Sequence, residues 1–116
     1  MNSFRGEFQV EVDKKKVDCL LTMNALRLFS KGENVKLGDF DKYMAEDPLT
    51  AIPTLAYYSH LNNRIKNRVK GTAPDKEIFI MEVLDSGQLE TIGSLIADSM
   101  NPGDEDTVGN VKAAKK

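Results

Sequence analysis

From Phe4 to Val12 the apolar and polar residues alternate: Phe4, Gly6, Phe8, Val10 and Val12 hold the even positions, and Arg5, Glu7, Gln9 and Glu11 the odd ones. A period of two over this length predicts a strand with one face buried and the other wetted. The parity inverts in the next segment, where Val17, Cys19 and Leu21 are the apolar positions. A four-residue loop, Asp13-Lys14-Lys15-Lys16, sets Val12 opposite Val17, Val10 opposite Cys19 and Phe8 opposite Leu21. All three pairs then share one face. A two-stranded hairpin is marginal by itself in water, so that face requires a cover of helices.

After Leu21 the rhythm becomes helical. Thr22 is the expected N-cap of a helix through "MNALRLFS", with Gly32 as its stop. "VKLGDFDKYMAED" reads as a short second helix started by Asp39 and closed before Asp47-Pro48. The third helix has two candidate starts. Thr50 as cap places Pro53 in the first turn; Asp47 as cap places Pro48 first and requires a kink at Pro53. Asp-Pro is the stronger start signal, so the second is preferred. Leu55, Tyr58, Leu61, Ile65 and Val69 then make one apolar face, and Gly71 closes the helix. His60 falls away from that face and is expected at the surface. Tyr57, Arg64 and Arg68 fall on a common stripe at its edge, which makes them candidate partner-binding residues, since Tyr and Arg dominate interface hot spots. The plainer reading is a solvated flank whose arginine stems cover apolar surface.

"TAPDKEIFIMEVLD" predicts a fourth helix capped by Thr72 and buried on more than one side. Asp85-Ser86-Gly87 is a turn, and Leu89, Ile92, Leu95, Ile96 and Met100 form a last amphipathic helix stopped by Asn101-Pro102-Gly103. The remainder, "GDEDTVGNVKAAKK", has too few large apolar groups to offset its ordering entropy and is expected to be disordered. The expected architecture is α+β: an N-terminal antiparallel hairpin on a bundle of four to five helices, with one domain over residues 1–101 and a flexible tail over 102–116.

A chain of 116 residues suits one domain with a core that needs no staples. One cysteine, Cys19, excludes an internal disulfide framework, and its strand position marks it as a small buried hydrophobe. The N-terminus lacks a signal-peptide pattern, and no apolar run is long enough to span a bilayer, so a soluble cytoplasmic protein is expected. The net charge of −2 offers no global attraction to nucleic acid.

Catalytic chemistry finds no foothold. His60 is the lone histidine, a pairing with Cys19 would need the core-facing thiol to turn outward, and the acids read as cap, turn and tail charges. Neither phosphate-cradling glycine motif is present. No catalytic, metal or cofactor site is expected. The one rival signal is "HLNNRIKNRVKG", where Arg64, Lys66, Arg68 and Lys70 could meet phosphates while Asn62 or Asn63 reads a base edge. Those charges wrap around the helix, and cations at a helix end complement its dipole without further cause.

The order of elements, the xGExxxxVDxKxxxxxLTMNALR opening, the Leu55-Ala56-Tyr57-Tyr58 helix and the helix pair around "EVLDSGQLETI" resemble the tail assembly chaperones of long-tailed bacteriophages (siphoviruses) and of gene-transfer-agent tail clusters. The likeness covers roughly residues 4–100; "NNRIKNRVKG" is more basic than the family pattern. The resemblance implies a virus-encoded, non-enzymatic chaperone without cofactors that acts in the host cytoplasm and is absent from the mature virion. Its implied partners are the tape measure protein, which it holds, and the major tail (tube) protein, which polymerises around it; self-association is a further option, and neither membrane nor nucleic acid is an expected partner. Family members are often made in two lengths through a ribosomal frameshift, and the Ala-Ala-Lys-Lys ending fits the shorter product. The competing readings are a head–tail connector or tail-completion protein, and a nucleic-acid-binding regulator.

Overall fold

The computed structural model describes residues 6–100; the expectations for Phe4 and Arg5, for the Asn101-Pro102-Gly103 stop, for the tail and for the Met100 side chain lie outside the described residues. Strands β1 (Glu7–Val12) and β2 (Lys15–Leu20) form the antiparallel hairpin that the alternation predicts. Phe8, Val10 and Val12 are buried, and Glu7, Gln9 and Glu11 are exposed.

The loop is shorter than expected. Asp13 and Lys14 alone make the turn, with φ of 54° and 65°, so Val12 faces Lys15, Val10 faces Val17 and Phe8 faces Cys19. Positive φ at both central residues is the type I′ pattern, whose twist matches that of the strands. The register therefore slips by two residues from the expected one. A slip of two preserves side-chain parity, so the same apolar face survives. Leu21 leaves the ladder and its amide donates to the Gly6 carbonyl at 2.8 Å.

Helix α1 (Met23–Glu33) follows at once. Thr22 stands at its N-cap position, but no side-chain bond closes the cap; its hydroxyl instead accepts from Asn62 at 2.9 Å. Gly32 is not the stop. It lies inside α1, where a Cβ would come within 2.6 Å of Tyr58 Cζ. Glycine is needed there for close packing, and Asn34, at φ 57°, supplies the left-handed ending. A single 3-10 turn (Leu37–Asp39) leads into α2 (Phe40–Glu46).

Helix α3 (Pro48–Lys66) begins at Asp47-Pro48 as preferred and carries Pro53 in its interior. It does not present one apolar stripe. Its middle is enclosed by α1, α4 (Lys76–Asp85), α5 (Leu89–Met100) and β2, so small and polar residues such as Ala51, Thr54, Ser59 and Asn62 are buried with Leu55 and Tyr58. Ile65, by contrast, is 60% exposed and Val69, past the helix end, is 47% exposed. The helix outruns the elements that cover its middle, and Ile65 in its last turn is left largely exposed.

Helix α4 starts at Asp75, not Thr72: the Asp75 carboxylate accepts from the Ile78 amide at 3.1 Å. Its run Ile78-Phe79-Ile80-Met81 is buried chiefly through Phe79, with Val83 a turn later, while Ile78 and Met81 are exposed. Burial on several sides is thus corrected to one. Helix α5 buries Ile92 and Ile96 as its spacing predicts. Two strands and five α-helices among the described residues make the protein α+β. Its core centres on Phe29, which packs in edge or tilted geometry against Phe40, Tyr43 and Tyr58.

Candidate functional site: the basic end of the third helix

The polar residues of α3 divide into those that hold the fold and those left over. His60 is a correction: it is 5% exposed, with Nδ1 at 2.7 Å from the Asp18 carbonyl and its ring stacked on Phe79. The ring nitrogen facing the carbonyl is the one placed to donate, and Nε2 is buried with no partner among the described residues. Asn62, two residues on, donates to the Leu20 carbonyl at 2.8 Å and accepts from Asn24. These side chains close the outer edge of β2. The Gln88 side chain does the same for β1, accepting from the Glu11 amide at 2.7 Å and donating to its carbonyl at 2.8 Å. Exposed strand edges invite pairing with other chains, and here side chains take that place. Asn62 is therefore not available to read a base.

A second group joins three helices. Glu33 of α1 accepts from the Tyr58 hydroxyl at 2.9 Å and from Lys76 Nζ at 2.7 Å. Burial, then the hydrogen bond to Glu33, pushes the Tyr58 phenol up to about 12, and the bond to Glu33 raises Lys76 as well. All three groups are spent on one another. Cys19 is buried and its thiol is pushed far above the ordinary thiol range by desolvation, the opposite of what a nucleophile needs. It borders a polar hollow of about 420 Å³ with Glu7, Phe8, Gln9, Asp18, Asn63 and Asn67. His60 is turned to the Asp18 carbonyl, and no hydrogen bond joins it to Cys19 among the described residues. No group of three or more His, Cys, Asp and Glu among the described residues could hold a metal ion.

What remains is the end of α3. The Arg68 amide donates to Ile65 and the Val69 amide to Arg64, at 3.2 and 2.9 Å, with Arg68 left-handed at φ 53°. This is a Schellman ending with arginine where glycine is usual. Arg64 folds the following loop back by donating to the Gly71 carbonyl at 2.6 Å. Between helix end and loop lies an open depression of about 450 Å³ lined by Leu61, Arg64, Ile65, Arg68, Val69, Gly71 and Ala73.

Of the three candidate residues, the structure brings Arg64 and Arg68 to this depression. Arg68 stands beyond the helix rather than on its stripe, and Arg64 pins the wall. Tyr57 lies elsewhere, half-buried and edge-on to Tyr58 and Phe79. Sequence reasoning missed Ile65 and Val69, assigned to the buried face, and placed the helix stop at Gly71; the helix ends at Lys66, short of that glycine, and Arg68 takes the left-handed position. A scan against protein-family models finds no match, nor do searches of curated proteins and of solved structures. No helix among the described residues is long and apolar enough to cross a membrane.

Proposed function

We propose that this protein is a non-enzymatic binding protein, a tail assembly chaperone that holds the tape measure protein in the host cytoplasm, helps recruit tail tube subunits, and is left out of the virion. The observation that carries the binding reading is the pair Ile65 and Val69, apolar and open to water beside an arginine with no partner among the described residues. Apolar groups that gather around one concavity, with cations at the rim, suit a polypeptide partner more than a reaction. The sequence resemblance supplies the identity of that partner.

The test is co-expression with the tape measure protein that this reading names as the partner. Tagged wild type is expected to retain it, and Ile65→Asp with Val69→Asp to lose it while melting normally. A wild-type protein that never retains the tape measure protein overturns the reading. Mass spectrometry of purified particles separates chaperone from connector, because the chaperone is expected to be missing and its presence in stoichiometric amount would favour the connector.

A further inference from the structure

The chemistry of the segment that fits the depression can be drawn from its walls. We infer that it takes an amphipathic segment whose apolar side chains are flanked by carboxylates; this rests on the binding reading above and specifies the partner's class. Leu61, Ile65, Val69 and Ala73 give the depression an apolar floor. Arg64 and Arg68 line it, Lys66 and Lys70 adjoin them in the chain, and no acidic residue occurs from Pro48 to Pro74. The remaining twelve basic residues of the chain stand against eighteen acids, so this segment is positive on an otherwise negative protein, with Glu7 and Asp18 of the hairpin bordering the same helix end at Asn63 and Asn67. No hydrogen bond or ion pair engages the side chains of Lys66, Arg68 or Lys70 among the described residues.

Backbone conformation adds an independent argument. The ends of α1 and α4 place Asn34 and Gly87 in the left-handed region, the residues that tolerate it best. The end of α3 places Arg68 there, a side chain with no local hydrogen bond to compensate. A left-handed arginine where glycine would cost less is a backbone outlier, and such outliers cluster at binding sites. Its guanidinium can grip a carboxylate with two parallel bonds. Arg64 has a different part: one guanidinium nitrogen donates to the Gly71 carbonyl at 2.6 Å and lies 3.5 Å from that of Lys70, which makes it a positioning residue that holds the wall.

The alternatives fit less well. A second copy docked by the same end would set like charges against each other. Nucleic acid would meet phosphate-binding cations but leave the apolar floor unused.

The test titrates the full-length protein into a labelled 14-residue helical peptide with Leu at every third or fourth position and Glu between, into the same peptide with Lys for each Glu, and into a 16-base-pair DNA duplex. The Glu peptide is expected to bind, weakening as salt rises, with amide shifts confined to residues 61–73, and the other two to bind at least tenfold more weakly. Removing one cation from such a pair costs roughly threefold in affinity, the scale of a partly exposed ion pair. Both Arg68→Gly and Arg68→Gln are expected to show that loss, although only the glycine variant melts higher; a purely structural Arg68 would leave affinity unmoved in both. Equal affinity for both peptides, tighter binding of DNA, or undiminished binding by both variants overturns the inference. If tape measure co-purification persists while the Glu peptide fails, only the acidic-segment inference falls; the reverse result removes the tape measure reading and leaves the site.

Discussion

Lys14 and Arg68 each occupy left-handed backbone that a glycine would adopt with less strain. They differ in consequence. Lys14 caps a hairpin turn, and Lys14→Gly creates the Asp-Gly pair that type I′ turns favour. It is expected to raise stability by about 1 kcal/mol in urea titration, and an unchanged midpoint would mean that the turn geometry is not as described. Gly32 presents the converse case. Alanine would favour the helix by about 1 kcal/mol, but its methyl would meet the Tyr58 ring, which Glu33 holds in place. Overpacking of this kind costs about 1–3 kcal/mol, so Gly32→Ala is expected to destabilise; a more stable variant would show that the ring can swing aside. Tyr58 also sets an alkaline limit. Its phenol ionises near 10.0 when unfolded and at about 12 in the fold. The unfolded chain therefore loses the proton first, and the contribution of this group, complete below pH 10, disappears as the pH rises towards 12. Lys76, also raised, acts in the same direction. Tyr58→Phe is expected to flatten that part of the stability profile, read by chemical denaturation at a series of alkaline pH values.

The hairpin shows how an element can be legible in one respect and hidden in another. Alternation reports which residues share a face, and Phe8, Val10, Val17 and Cys19 do. It does not report the turn, because loops of two and four residues preserve the same parity. Val10 is fully buried, and a carboxylate in its place would lose hydration with nothing in return. Val10→Asp is expected to abolish cooperative unfolding in far-UV circular dichroism. Helix α3 shows a harder limit. His60 and Asn62 carry polar signals that favour the surface, yet both are inside because the edge of β2 needs hydrogen-bond donors there. Asn62→Ala leaves the buried Leu20 carbonyl without its donor, while the exposed Thr22 hydroxyl turns to water, at a cost of about 1–3 kcal/mol. A change under 0.5 kcal/mol, of the size typical of surface positions, would return Asn62 to the surface class.

Across the molecule, function depends on what is left uncovered. The hairpin, α1, α4 and α5 enclose the middle of α3, and its last turn extends past them with Ile65 bare. The basic run beside it was visible in the chain, as were Arg64 and Arg68, but the apolar floor was not. Helical spacing alone assigns Ile65 and Val69 to the same stripe as Leu55, and only the reach of the neighbouring elements distinguishes a covered turn from an open one. Tyr57 illustrates the opposite error of scope: it shares the sequence pattern of an interface residue but lies against Phe79.

Local rules were enough for the strand faces, the five helices and the Asp47-Pro48 start, since each follows from side-chain period or from the restricted backbone of proline. Contacts between residues distant in the chain decided the rest. They account for Gly32 against Tyr58, His60 and Asn62 at the strand edge, Glu33 between Tyr58 and Lys76, and the open turn at Ile65. The physical reason is that burial is a property of neighbours in space. A periodic sequence can say which side of an element is apolar; it cannot say where along that element the cover stops.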